Sequence, residues 1–357
     1  MNPSKLLSIS AAALCVLVSP SFAQTTATTD PAGFITAAVA GGGSVASPRL
    51  SLISPTLMQP VAWQGAITAF SSPAKSLTVA GTPWTANQFN GAAGLHFVEI
   101  ISNTGAANPI PGFWANILTT GTNVITTDVD MSAYAVVGAA IRIRKHVTIG
   151  SFFGATNSAG FLASDDASTA DEVLVYSGAA STSYFYFTGG GGFPAGWYDA
   201  AFNLNPGQAE NVAIAPFQGV VIKRKAAAAL NIVSIGSVKT GNTLTPVQNA
   251  LNVLGTVSAK GLTLGNSGLY TGNPATGVKA SDDPSTADEV TIYTPTGQTN
   301  YFYFTGGGGF AAGWYDSAFN ATAPLDSSVA IPAGTSVVVN RKGGGSFNWP
   351  LPSPTSF

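Results

Sequence analysis

The chain has 357 residues, of which 8% are charged and 45% hydrophobic, with 41 glycines and a formal net charge of −2. Low charge combined with abundant apolar residues argues against a disordered chain, and 14 Lys plus Arg against 16 Asp plus Glu leaves no basic footprint for nucleic acid. The shortage of Glu and Lys argues against a coiled coil.

Residues 1–23 read as a secretory signal peptide. Lys5 supplies the positive end, and the apolar run from Leu6 to Val18 is too short to span a bilayer. Ser21-Phe22-Ala23 places small residues where a signal peptidase needs them. Cleavage after Ala23 is expected, with a secreted or outer-surface destination. Cys15, the only cysteine, falls in the apolar run, and Leu14 before it is too bulky for a lipoprotein leader. The mature chain is therefore expected to lack disulfides, thiolate metal sites and a Cys nucleophile. Pro55, Pro60 and Pro73 break the uncharged stretch 50–74, so no transmembrane helix is expected.

Residues 164–203 align without gaps to 281–320 at an offset of 117, with 29 identities in 40 positions. Each copy ends in a β-branched run closing on basic residues, Val220-Val221-Ile222 before Lys223-Arg224-Lys225 and Val337-Val338-Val339 before Arg341-Lys342. Ile141-Arg142-Ile143-Arg144-Lys145 suggests a third, worn copy upstream. In it Phe97–Ile100 would match Glu172–Val175, and Gly112-Phe113-Trp114 would match Gly196-Trp197-Tyr198. The expected division is an N-terminal β module at 30–145, β repeat modules at 146–225 and 226–345, and a flexible Pro/Ser tail at 346–357. Ala226–Ala229 is the expected joint. Short β-branched and aromatic runs between Gly, Pro and Asn indicate an all-β chain of tandem sandwich or barrel-like modules after the signal peptide. In Tyr184-Phe185-Tyr186-Phe187 the period of two puts the tyrosines on one face and the phenylalanines on the other. Tyr301–Phe304 repeats this pattern. Helical periodicity shows only in short pieces such as Pro246–Leu254.

Three groups of residues invite a chemical reading. The acids Asp165, Asp166, Asp171 and Glu172 recur as Asp282, Asp283, Asp288 and Glu289. They match no EF-hand spacing, and turn chemistry is the simpler reading, with calcium as the alternative cofactor. Trp197, Tyr198, Trp314 and Tyr315 sit beside glycines, either as core and interface rings or as a platform for sugars. Gly265-Asn266-Ser267-Gly268 faintly resembles a serine-nucleophile loop, but only His96 and His146 are available as a histidine base, and Gly150 stands at the repeat position of Ser267. The glycine runs 189–192 and 306–309 lack the Lys-Ser/Thr of a phosphate loop. The basic strand ends read as solvated charges or edge-strand guards.

Thr29-Asp30-Pro31-Ala32-Gly33-Phe34, Pro83-Trp84-Thr85-Ala86-Asn87-Gln88-Phe89, Phe97–Ile100 and the later Gly-Trp-Tyr-Asp and Val-Val-Ile-Lys-Arg-Lys segments carry a resemblance. In them the chain resembles an uncharacterised family of exported, repeat-containing all-β proteins from Verrucomicrobia-type bacteria. The resemblance implies an exported, non-enzymatic β protein and supplies no site residues. The expectation is a non-catalytic structural or adhesive protein of the cell envelope or extracellular matrix, with surface glycans or envelope proteins as partners. A carbohydrate-binding array and an outer-membrane β-barrel are the alternatives.

Overall fold

The computed structural model describes residues 30–90, 95–177, 180–204, 206–294 and 297–352. The leader at 1–23 with its cleavage point and Cys15, and residues 353–357 of the expected tail, lie outside these residues. The chain is all-β, with 45% strand and 3% helix. Three strands come first, β1 (Ala32–Val39), β2 (Arg49–Ile53) and β3 (Leu57–Met58). Six more follow, β4 (Val61–Ser71), β5 (Ser76–Val79), β6 (His96–Ser102), β7 (Trp114–Thr120), β8 (Val124–Thr127) and β9 (Ala140–Lys145). Next come β10 (Val147–Thr148), α1 (Ile149–Phe153), β11 (Glu172–Ser177), β12 (Ala180–Phe187), β13 (Gly196–Asp199), α2 (Pro206–Ala209), β14 (Ala213–Ile214), β15 (Val220–Arg224) and β16 (Leu230–Val238). The last set is β17 (Thr243–Val247), β18 (Ala250–Gly255), β19 (Leu262–Thr263), β20 (Glu289–Thr294), β21 (Gly297–Phe304), β22 (Gly313–Asp316), β23 (Ala330–Ile331), β24 (Ser336–Arg341) and β25 (Phe347–Leu351).

Strands β4–β9 close into a barrel in the order β4-β5-β8-β7-β6-β9. Bulges in β4, between Val61 and Trp63 and between Ile67 and Ala69, bend it so that its first half pairs with β9 and its second with β5. Ile67, Leu77, Ile100, Ile117, Ile141 and Ile143 fill the interior. This is a sealed apolar core, the reverse of the polar lumen of a membrane barrel. Among the described residues no helix is long and apolar enough to cross a membrane.

The remaining strands build one sandwich twice. The first unit has a five-stranded sheet, β13-β12-β11-β15-β2, facing β1-β16-β3. The second has β22-β21-β20-β24-β18 facing β17-β25. Their registers coincide. Val220 pairs with Ile53 as Val337 pairs with Leu254, and Leu230 pairs with Val39 as Phe347 pairs with Val247. Strands β1 and β2 are thus to the first unit what β17 and β18 are to the second. The barrel is an insertion between β3 and β10 of the first unit.

This corrects the expected boundaries. Residues 32–58 belong with 147–238, the barrel occupies 61–145, and the second unit runs through 243–351. Ala226–Ala229 is a turn inside the first unit, where Ala227 O accepts from Gly42 N at 2.8 Å. The barrel is not a third copy: β7 with Trp114 adjoins β6, whereas β13 with Trp197 lies two strands from β11. Pro246–Leu254 is not helical but runs from β17 across to β18 in the facing sheet, turning near Ala250 with φ 100°. Residues 347–351 are no flexible tail. They form β25, with Trp349 and Leu351 fully buried.

The aromatic alternation falls as read. Tyr184 and Tyr186 join the first sandwich core, while Phe185 and Phe187 join a separate cluster on the opposite face. Tyr301, Tyr303, Phe302 and Phe304 divide in the same way. The two five-stranded sheets meet through Leu52, Leu174 and Val221 on one side and Val253, Tyr293 and Val338 on the other. Between the units, Lys239 Nζ pairs at 2.8 Å with Glu99 Oε1 of the barrel, both side chains buried.

Candidate functional site

The structure separates the acids of each repeat. Asp171 is buried, pairs with Arg224, and accepts from Lys225 N at 2.6 Å and Leu162 N at 2.7 Å. Asp288 repeats this with Arg341 at 2.6 Å, Lys342 N and Lys279 N at 2.7 Å. The basic strand ends are therefore not solvated guards: Arg144, Arg224 and Arg341 are buried partners of Asp30, Asp171 and Asp288. Glu172 is held by Lys225 at 2.8 Å and Ser183 at 2.6 Å, and Glu289 by Lys342 at 3.4 Å. Burial works against ionisation of Glu172, but the Lys225 and Ser183 contacts outweigh it and keep the carboxyl below its ordinary range.

Asp166 and Asp283 are exposed turn residues. Asp166 accepts from Ser168 N at 2.7 Å and Asp283 from Ser285 N at 2.8 Å. The backbone bond at Asp166 and the hydroxyl bond at Asp283 lead in lowering their carboxyls. Asp165 and Asp282 are exposed and accept from the neighbouring Ser164 and Ser281 hydroxyls, at 3.2 and 3.3 Å. The acids do not converge on a common point. Among the described residues no group of three or more His, Cys, Asp or Glu is placed to hold a metal ion.

The Trp-Tyr pairs cannot serve as an open platform. Trp197, Tyr198, Trp314 and Tyr315 are all buried. Trp197 Nε1 donates to Gly154 O at 2.8 Å, and the Tyr198 and Tyr315 hydroxyls donate to Pro194 O and Ala311 O at 3.0 and 3.1 Å. Trp197 and Trp314 pack in the two sandwich cores, while Tyr198 and Tyr315 brace exposed aromatics on the opposite face, 6.3 and 6.2 Å away.

Those exposed aromatics are phenylalanines. Gly189–Gly192 adopt φ 93°, 138°, 59° and 89°, and Gly306–Gly309 adopt 92°, 138°, 60° and 89°. Only glycine holds four such values in succession. Each loop is pinched shut, Gly190 and Phe193 exchanging two backbone bonds of 3.0 Å, and Gly307 and Phe310 bonds of 3.1 and 3.0 Å. Phe193 is thereby lifted to 53% exposure and Phe310 to 39%. Opposite stand Phe202 and Phe319, at φ 56° and 53°, a left-handed conformation that costs a bulky residue about 1–2 kcal/mol. Ring packing sustains it: Phe202 lies 5.4 Å from Phe187 and 6.0 Å from Phe193, and Phe319 lies 5.3 Å from Phe304 and 6.0 Å from Phe310. Asp165, Phe187, Gly189–Gly191, Phe193 and Phe202 together line a shallow bowl of about 500 Å³. Thr188 N donates to Ser164 O at 3.0 Å, which seats the Asp165 loop on the rim, and Thr305 N to Ser281 O does the same at 3.2 Å. Sequence reasoning weighed the neighbouring Trp-Tyr pairs, as core rings or as a platform, and missed the phenylalanines. The available signal was a four-glycine run flanked by Phe within the most identical text of the repeat.

The remaining sequence candidates are structural. Ser267 is fully buried, its hydroxyl donating to Leu264 O at 2.7 Å. His146 is buried against Phe97, with Nε2 2.7 Å from Asn116 Oδ1. Loss of solvent, and then the charge of His96, lower the His146 pKa from 6.5 to about 4. Below pH 6.5 the unfolded chain takes up a proton that the folded chain refuses. Stability present above pH 6.5 is therefore lost as pH falls toward 4. At about 1.4 kcal/mol per pKa unit the full loss is about 3 kcal/mol. Urea unfolding at pH 7 and pH 4.5 should show most of this loss, and His146→Gln should flatten the difference.

Comparison with protein-family models, curated proteins and solved structures finds no match for this chain.

Proposed function

We propose that the protein is an exported, non-catalytic adhesive protein of the cell envelope or extracellular matrix, whose two glycine-phenylalanine bowls grip a glycan. The observation that carries this reading is the same strained glycine-phenylalanine loop in both sandwich units, with glycine dihedrals agreeing within a few degrees and Phe193 and Phe310 exposed. Core packing does not call for such agreement. Buried strands need only the right volume and polarity, and β17 differs from β1 at most positions while pairing in the same register. An exposed Phe facing a left-handed Phe contributes little to folding and has a conformational cost. The chemistry suits a pyranose: ring faces for its C–H surface, the Asp165 or Asp282 carboxylate for hydroxyl donors, and glycine loops that let backbone amides approach. Two such sites on one rigid body give avidity on a repeating polymer. The single carboxylate lining the first bowl, Asp165, supports binding over hydrolysis, which uses a pair.

Retention on insoluble cellulose, chitin and cell-wall glycan tests this reading. Phe193→Ala or Phe310→Ala alone should weaken retention on the preferred glycan, and the double variant should lose it by about a hundredfold, within the range of avidity gains. Thermal unfolding should shift only modestly, because both rings are partly exposed. Unchanged retention by the double variant, or release of reducing sugar by the wild type, would overturn the reading.

A further inference from the structure

Strand β1 is an edge strand, with β16 on one side and no partner strand among the described residues on the other. Its register fixes which backbone groups face that free side. Pro31 O accepts from Val238 N at 2.6 Å, so Gly33, Ile35, Ala37 and Val39 bond to β16, while Phe34, Thr36 and Ala38 turn their N–H and C=O outward. Ala40, next in the outward series, donates its N–H to Ser51 Oγ at 2.9 Å, which agrees with this phase. Natural edge strands usually carry a charge, a proline or a bulge against pairing. Strand β1 has neither proline nor charge, and no charged residue occurs from Pro31 to Pro48.

Along this edge lies a cleft of about 540 Å³ between the two sandwich units. Thr36 and Ala38 form one wall, Leu50 and Leu52 the floor, and Tyr293 and Val329 the other wall; no lining side chain is Asp, Glu, Lys, Arg or His. Beside it Phe34 and Ile235 stand opposite each other on neighbouring strands, 73% and 76% exposed.

The second unit shows what such an edge takes. Val39 corresponds to Val247, so Thr36 corresponds to Leu244. The outward N–H of Leu244 donates to Gly112 O of the barrel at 3.0 Å. Gly112, at φ 102°, lies so close that a Cβ would stand 2.3 Å from Asn242 O. A backbone carbonyl of the β6–β7 loop thus caps the edge of β17, and the corresponding edge of β1 faces the cleft.

We propose that the β1 edge takes an extended, uncharged polypeptide segment of a partner protein as an added strand, with an apolar side chain seated on Phe34 and Ile235. Backbone pairing supplies affinity, and the uncharged walls select against acidic and basic segments. The cleft admits a single strand rather than the edge of a second folded copy. Tyr293, Val329, Ala333 and Thr335 of the second unit close its other side, and a strand backed by its own sheet would meet this wall.

A display library of random ten-residue peptides, panned on the wild type and on Thr36→Pro, tests the proposal. Proline removes the outward Thr36 N–H and leaves the ladder to β16 complete, since edge strands tolerate it there. Ala38→Lys, at an exposed position, adds a guard charge and carries the test if Thr36→Pro fails to fold. The wild type should enrich uncharged, β-branched peptides. As synthetic peptides they should bind one to one and lose at least about tenfold in affinity to either variant, the effect of about one lost net hydrogen bond to the backbone. Phe193→Ala should bind them normally, which separates this edge from the bowls. No enrichment, or equal binding by the wild type and both variants, would overturn the proposal. Self-association of the wild type that Thr36→Pro abolishes would overturn the partner assignment in favour of a second copy.

Discussion

Arg341→Ala is expected to destabilise the protein by about 3–5 kcal/mol, the usual cost of stranding a buried charge. The guanidinium is fully buried and spends nearly all its donors. Nη1 reaches Asp288 at 2.6 Å and Gly277 O at 2.8 Å, Nε reaches Gly345 O at 2.6 Å, and Nη2 bonds Pro274 O. Its cation also lies 4.7 Å from the centre of the Phe347 ring. Alanine would leave the buried Asp288 without its cation and free three carbonyls. The neighbouring Lys342 provides the contrast. Its pair with Glu289, at 3.4 Å with the lysine side chain 24% exposed, is worth at most about 1 kcal/mol. Chemical unfolding of Arg341→Ala and Lys342→Ala should therefore separate by several kcal/mol. The double variant Asp288→Leu/Arg341→Met should recover much of the loss, because the penalty lies in the unpaired charge. A loss below about 1 kcal/mol for Arg341→Ala would mean that water reaches the site.

Trp349→Ala should cost a comparable amount, about 3–5 kcal/mol, typical of a large ring removed from a core. Trp349 is buried among Leu264, Leu269 and Val247, and its Nε1 donates to Ser267 O at 2.8 Å. Asn348→Ala, the next residue and exposed on the other face of β25, should cost well under 1 kcal/mol apart from its bond to the Tyr134 hydroxyl at 2.9 Å. Unfolding followed by tryptophan fluorescence measures both. If Trp349→Ala matched Asn348→Ala, β25 would be an appendage and not a wall of the second core.

These two cases show what the residues disclosed in advance. The repeat was legible because 29 of 40 positions coincide. The strand faces of Tyr184–Phe187 were legible because a period of two is local. Strand β25 was also written locally, Phe347, Trp349 and Leu351 alternating with Asn348 and Pro350, but Pro350 and the glycines before it suggested a tail. The proline is tolerated because it faces the free side of a two-stranded pair, as Pro246 does on β17. Arg224 and Arg341 were misread because surface charge is the norm, and each partner carboxylate lies 53 residues upstream. The roles of β1 and β2 could not be read at all. They match β17 and β18 in pairing and not in letters, and the whole barrel intervenes between them and the rest of their unit. The bowl was half legible: the glycine run was seen as a loop, but exposure of Phe193 and the left-handed turn at Phe202 depend on three dimensions.

The interruption of the first sandwich has a consequence for biosynthesis. Strand β1 waits for β16, about 190 residues further along, and at ~5–20 residues per second that wait is roughly 10–40 s. The barrel is contiguous and can close meanwhile, as can nothing else in the first half of the chain. A nascent molecule thus holds an uncharged, apolar ribbon open throughout this interval. The order of emergence makes β1 the segment for which a chaperone or export factor has the longest opportunity.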